Sequence, residues 1–184
     1  RDITDVDAVR RAVGAASPGA IVNCAAYTAV DAAEGDEARA AAVNGGAVST
    51  LADLADRLGV VLLQVSTDYV FDGTAQAPIR EDRPTNPQSA YGRTKLAGEV
   101  AAAQARRHLI VRTAWLYGEG GNFVGAVRRQ LDGGSRVLRV VADQAGCPTY
   151  AEDLASGLLR LLAVGAEGVV HAVNSGATTW YGFA

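Results

Sequence analysis

Tyr91 and Lys95 lie four residues apart in SAYGRTKLAGE. On a helix that spacing puts both side chains on one face, with Cβ atoms about 5–6 Å apart. A phenol beside a fixed ammonium is a tunable proton donor. The free phenol titrates near ~10, and a neighbouring cation favours the phenolate. Such a pair can hand a proton to a carbonyl oxygen as a hydride reaches its carbon. The spacing alone is common, and it describes a surface tyrosine with a solvated lysine equally well. The residues around it decide between the two.

A reacting pair needs a helix beneath it and strand ends around it. The stretch from Ser89 to about Arg106 is helix-like and carries the pair. Apolar runs at AIVNCAA (20–26), VVLLQVS (60–66), HLIVRT (108–113), RVLRVVAD (136–143) and VVHAV (169–173) read as strands. Helices are expected over 5–16 (with Thr4 as N-cap), over roughly 36–57, over 122–131 and over 151–163. Asn44-Gly45-Gly46 should weaken the second of these. The polar segment 72–87 reads as a surface loop. Strands alternating with helices predict an α/β fold: a Rossmann-like, doubly wound, mostly parallel sheet.

In such sheets ligands bind beyond the carboxyl ends of the strands. Three runs end in polar or aromatic residues: AAYTAVDAAE (25–34), STDYVFDG (66–73) and TAWLYG (113–118). Thr67 could hold a carbonyl oxygen while Tyr91 protonates it. Asp68 could accept from a sugar hydroxyl, although Ser66-Thr67-Asp68 also fits a local turn. Asp31 and Glu34 could cap the next helix. Trp115 could wall a sugar pocket or join the core.

Composition narrows the classes. The 184 residues carry a net charge of −3, with acids and bases interspersed, which gives no reason to expect nucleic-acid binding. No run of ~18 apolar residues predicts a membrane span. RDITDVDAVRR resembles neither a signal nor a transit peptide. Cys24 and Cys147 form no C-x-x-C, which predicts reduced thiols in a cytoplasmic protein. His108 and His171 sit in separate apolar runs without metal-ligand spacing. The absence of methionine and the abrupt ends TTWYGFA and RDITD predict a piece of something longer.

STDYVFDG followed by EDRPTNPQSAYGRTKLAGE (81–99) resembles the extended short-chain dehydrogenase/reductase superfamily. Together with AAYTAVDAAE, RTAWLYGEGGNFV (112–124) and DQAGCPTYAEDLA (143–155), the chain is similar throughout to the dTDP-4-dehydrorhamnose reductase family. The resemblance implies an NADPH- or NADH-dependent oxidoreductase that reduces the C4 keto group of a nucleotide-linked 4-keto-6-deoxyhexose. It implies Tyr91 as general acid, Lys95 as its partner and ribose contact, and Thr67 as the catalytic hydroxyl. Asp2 and Ile3 match the adenine side of the cofactor, and Ala25, Ala26, Tyr27 and Thr28 a stretch lining it. Asp31, Asp68 and Trp115 match sugar contacts. Glu152 matches a carboxylate that helps bind Mg2+ at a homodimer contact in some members, although an acid in a first turn is usually a cap.

The family's glycine-rich G-x-x-G-x-x-G turn is absent from this sequence. The resemblance therefore makes residues 1–184 a partial NAD(P)-binding Rossmann domain, with a substrate-binding region starting near 143–184. Two rival readings stay open. One is a reductase making a different deoxysugar in secondary metabolism. The other is a non-catalytic subunit, since the methionine adenosyltransferase regulatory subunit is also similar to this family.

Overall fold

The computed structural model describes residues 2–184. Along the chain lie α1 (Val6–Ala16), β1 (Ala20–Asn23), α2 (Val30–Ala33), α3 (Glu37–Ala41), α4 (Ala47–Leu58), β2 (Val61–Thr67), α5 (Ala90–Ala102) and β3 (His108–Thr113). Then come β4 (Leu116–Tyr117), α6 (Phe123–Asp132), β5 (Ala145–Gly146), β6 (Thr149–Tyr150), α7 (Ala151–Ala163), β7 (Gly168–His171), β8 (Thr178–Thr179) and α8 (Trp180–Phe183). They form two compact units: the described residues up to Arg112 with Ala166–His171, and Thr113–Gly165 with Ala172–Ala184. No helix among the described residues is long and apolar enough to cross a membrane.

The first unit is an α/β, Rossmann-like layer. Its sheet runs β1-β2-β3-β7, with β1 parallel to β2 and β3 parallel to β7. Ile21 lies opposite Leu62, and Ile110 opposite Val169. These four side chains share a core with Val48, Leu51, Ala52 and Ala55 of α4 and Ala102 of α5, and Val9 and Val13 of α1 pack against it. Leu62 and its neighbour Leu63 are both fully buried. That explains why the run at 60–66 is continuous rather than alternating.

Two local departures have physical causes. The N-cap of α1 is Asp5, whose carboxylate accepts from the Ala8 amide at 2.9 Å; Thr4 bonds back to Asp2 through its amide and hydroxyl. The segment expected as one long helix is broken by a π-helical turn at Ala42–Gly46. Asn44-Gly45-Gly46 are poor helix formers, and π turns recur at functional sites.

In the second unit, β4 pairs with β6 in parallel and β5 with β8 antiparallel. The strand expected at 136–143 does not form. Val137 and Val141 are 75% and 50% exposed, and the Val141 carbonyl accepts from the Tyr181 amide at 3.0 Å, not from a strand partner. An apolar run becomes a strand only where a neighbour completes its backbone pairing.

Candidate active site

Parallel pairing brings the carboxyl ends of β1 and β2 to one edge, with Asn23 opposite Gln64. Their buried amides bond, Asn23 donating to Gln64 at 2.7 Å. Asn23 accepts from the Ala25 amide, and Gln64 donates to the Val65 carbonyl at 2.8 Å. The same carbonyl accepts from the Lys95 Nζ at 2.7 Å. Sequence reasoning passed over both amides. The available signal was a polar side chain inside each of two apolar runs, which a buried strand tolerates only when it is bonded.

The helix α5 is fixed at its start from two sides. Ser89 caps it by accepting from the Gly92 amide at 3.0 Å, and Glu34 accepts from the Ala90 amide at 2.7 Å. Glu34 therefore caps α5 and not the helix beside it in sequence. Gly92 lets the helix meet the 3-10 turn at Asp68–Val70, because a Cβ there would lie 2.3 Å from the Tyr69 carbonyl oxygen. Tyr91 is thereby held edge-on to the Tyr69 ring, with centroids 5.4 Å apart. Tyr69, half-exposed beside Tyr91, is a further candidate that the sequence did not single out.

Thr67 ends β2 and is buried. Its hydroxyl donates to Asp68 at 3.1 Å and accepts from the Tyr69 amide at 3.2 Å. The Thr67 hydroxyl also lies near enough to Tyr91 to favour its phenolate. Thr67 has one hydroxyl proton, and the bond to Asp68 holds it. Burial pushes the Tyr91 phenol up to about 12, and the charges of Asp68 and Tyr69 add to the rise. The lowering expected from Lys95 does not appear; the ammonium is turned to the Val65 carbonyl. Burial pulls Lys95 down to about 8 and pushes the Asp68 carboxyl up. At neutral pH the edge therefore presents a protonated phenol and a charged amine. Asp31, in the first turn of α2, is exposed, and its charge reaches the Tyr69 phenol.

Asn44, fully buried on the π turn, ties the stretch after β1 to α5. It accepts from the Tyr27 amide at 2.8 Å and donates to the Tyr27 carbonyl at 3.3 Å and to the Thr94 hydroxyl at 3.0 Å. The Thr94 hydroxyl in turn donates to the Tyr91 carbonyl at 2.9 Å. Asn44→Ala orphans these groups and should cost about 1–2 kcal/mol, read as a lower unfolding midpoint in thermal denaturation. An unchanged midpoint would show that the clamp bears nothing. Ala26 and Tyr27 are half-buried, Ala25 and Thr28 exposed. Asp2, Ile3 and Ala25 line one groove of about 280 Å³ between α1 and β1.

Trp115 and Glu152 lie in the second unit. Trp115 adopts a left-handed φ of 48°, and its ring stacks on Trp180 with centroids 3.6 Å apart. A Cβ on Gly146 would come within 2.4 Å of the Trp115 ring, so only glycine fits there. Glu152 lies in the first turn of α7, and its charge pushes the Tyr150 phenol up. Among the described residues no three His, Cys, Asp or Glu come together as a metal centre. The magnesium site expected at Glu152 is thus not supported: one exposed carboxylate lacks the further oxygen ligands that ion requires.

The family model described as the RmlD substrate binding domain matches residues 1–184. A dTDP-4-dehydrorhamnose reductase of Streptomyces griseus is 50% identical over 190 residues, covering 97% of this chain and 61% of its own length. A dTDP-4-keto-6-deoxy-D-glucose reductase of Streptomyces niveus is 45% identical over 186 residues, covering 100% and 64%. The crystal structure of a dTDP-4-dehydrorhamnose reductase from Bacillus anthracis in complex with NADP superposes with a TM-score of 0.94 at 36% identity, covering 99% of this chain and 65% of that one. The chain therefore spans less than two thirds of the length of these relatives.

Proposed function

Since the chain belongs to the RmlD substrate binding domain family, that of the dTDP-4-dehydrorhamnose reductases, we propose that the protein carrying it reduces the C4 keto group of a nucleotide-linked 4-keto-6-deoxyhexose. On this reading dTDP-4-dehydrorhamnose becomes dTDP-rhamnose at the expense of NADPH or NADH. The observation that supports it is that Thr67 at the end of β2 lies near Tyr91 on α5, the helix that also bears the buried Lys95. The nicotinamide, when bound, supplies the hydride to C4. Tyr91 gives its proton to the C4 oxygen, so the carbonyl becomes an alcohol. Thr67 turns its hydroxyl from Asp68 to that oxygen and holds the charge developing there. Lys95, turned to the Val65 carbonyl here, would bond the nicotinamide ribose when the cofactor is bound, and from there its charge would favour the phenolate left behind.

The groove bearing Asp2, Ile3 and Ala25, together with Ala26, Tyr27 and Thr28, takes the cofactor in this reading. Asp31, Asp68 and Trp115 take the sugar. No glycine-rich phosphate turn lies within these 184 residues. The setting this implies is cytoplasmic, and a homodimer remains part of the proposal. The Streptomyces niveus relative favours a second reading, in which the same three residues reduce another 4-keto deoxysugar.

The test is NAD(P)H consumption by the purified protein with dTDP-4-keto-6-deoxyhexoses, with the product identified by NMR. No consumption with any of them, alongside tight binding to a protein partner, would favour a regulatory subunit. Turnover should also depend on pH in one direction. Lys95 is charged below its value of about 8, and Tyr91 keeps its proton up to about 12. The rate with saturating cofactor should be level through neutrality and decline as pH rises through Lys95's titration. A profile level far above that point would remove Lys95 from the chemistry.

A further inference from the structure

Lys95 is not held by its own helix alone. Glu99 lies one turn further along α5, and both residues are 4% exposed. The two dock on adjacent residues of β2: Lys95 donates to the Val65 carbonyl at 2.7 Å, and Glu99 accepts from the Ser66 hydroxyl at 2.6 Å. From β3, Arg112 grips the Glu99 carboxylate with two bonds, 2.9 and 2.7 Å. Its guanidinium also donates to the Glu81 carbonyl and lies 5.0 Å from the Phe71 ring centroid. The cluster thus buries two cations with one anion.

The reduction proposed above uses neither Glu99 nor Arg112. A buried ion pair is weak evidence of stabilisation, because apolar residues often serve as well. A pair set beside the amine invites another account. We propose that Glu99, shared between Ser66 and Arg112, is a positioning residue that supplies the counter-charge for Lys95, and that Arg112 limits how much of that charge Lys95 feels. The inference deepens the reductase reading and rests on it only for its effect on turnover.

The charges facing Lys95 are few. On α5 there is Glu99, which favours the ammonium; after β1 there is the Cys24 thiol. β2 offers the Val65 carbonyl, and β3 acts through Arg112 on Glu99. Burial works against all of these and sets the ammonium near 8. Arg112 is the reason Glu99 does not cancel that burial: its bidentate grip holds the carboxylate in charge-assisted bonds of its own.

Lys95 is the only lysine in the sequence. In protein labelled with 13Cε-lysine, its signal is assigned by its loss in Lys95→Arg, and its titration is followed without reference to activity. Glu99→Gln should move that titration to lower pH by about one unit. Arg112→Gln should move it to higher pH. The double variant Glu99→Gln/Arg112→Met, neutral overall, should move it down by less than Glu99→Gln does, and it decides the matter where the single variant fails to fold. The high-pH decline of turnover should follow the same three directions. An unmoved titration in Glu99→Gln or in the double variant, or a downward move in Arg112→Gln, overturns the proposal. Shifted titrations in a protein that reduces no keto-sugar would leave the network standing and remove the reductase reading. Unshifted titrations in an active enzyme would do the reverse.

Discussion

On the proposed reading, Tyr91→Phe should lower turnover by ~100- to 10,000-fold, the usual share of a single general acid, and leave cofactor affinity nearly intact. The substitution is clean because the ring has duties separate from the hydroxyl. The ring packs against the cluster of Ala33, Ala40 and Ala90 and meets Tyr69 edge-on. Phenylalanine keeps all of these contacts. What disappears is one O–H near Thr67, whose own proton goes to Asp68 in either case. The unfolding midpoint should therefore hardly change. The loss should appear in kcat and in single-turnover rates, because on this reading the bond to the C4 oxygen would strengthen only as charge develops. Cofactor affinity is read separately, by fluorescence titration. A variant that keeps its turnover would count against proton donation by Tyr91, whatever the sheet looks like.

The sequence was most informative where one element suffices. β3 and α7 fall on the residues that periodicity indicates, and α5 starts directly after Ser89, where the helix-like stretch begins. Spacing within one helix or strand is a local property, and it can be read from one chain. The run at 136–143 failed because strand formation depends on a partner that no local pattern announces. The same limit hid the clamp at Asn44 and the pair Glu99–Arg112, whose members come from separate elements and meet only after folding. The electrostatics of Tyr91 were hidden for a related reason. Four-residue spacing predicts a neighbouring cation, but only the fold shows that the cation is turned to Val65 and that burial governs the phenol.

One compositional signal was open to reading and was missed. Of the 17 basic residues, one is lysine, and it is Lys95. Everywhere else this chain uses arginine, which stays charged in any protein setting. An amine retained at a single position, where its proton can be lost near neutral pH, marks that position more sharply than Y-x-x-x-K does.

Gly98→Ala, by contrast, should damage the fold, against the ordinary rule for helices. Replacing glycine by alanine inside a helix normally gains about 1 kcal/mol. On α5 the added Cβ would lie 2.1 Å from the Asn44 carbonyl oxygen and 3.3 Å from its carbon. Both are backbone atoms of the π turn, which cannot yield as a flexible side chain would. The helix must lift or the turn must open, and opening it withdraws Asn44 from Tyr27 and Thr94. The net loss should reach or exceed the ~1–3 kcal/mol usual for overpacking, which for a chain of this size lowers the midpoint by about 2–4 °C per kcal/mol. Gly157→Ala on α7 is the control, since nothing lies within 4 Å of its Cβ. There the same change should stabilise by about 0.4–1 kcal/mol. Opposite signs in two otherwise identical substitutions are the signature of α5 crossing hard against the π turn. Equal gains at both sites would mean that the crossing is looser than these distances require, and that Tyr91 and Lys95 are held less firmly over the strand ends.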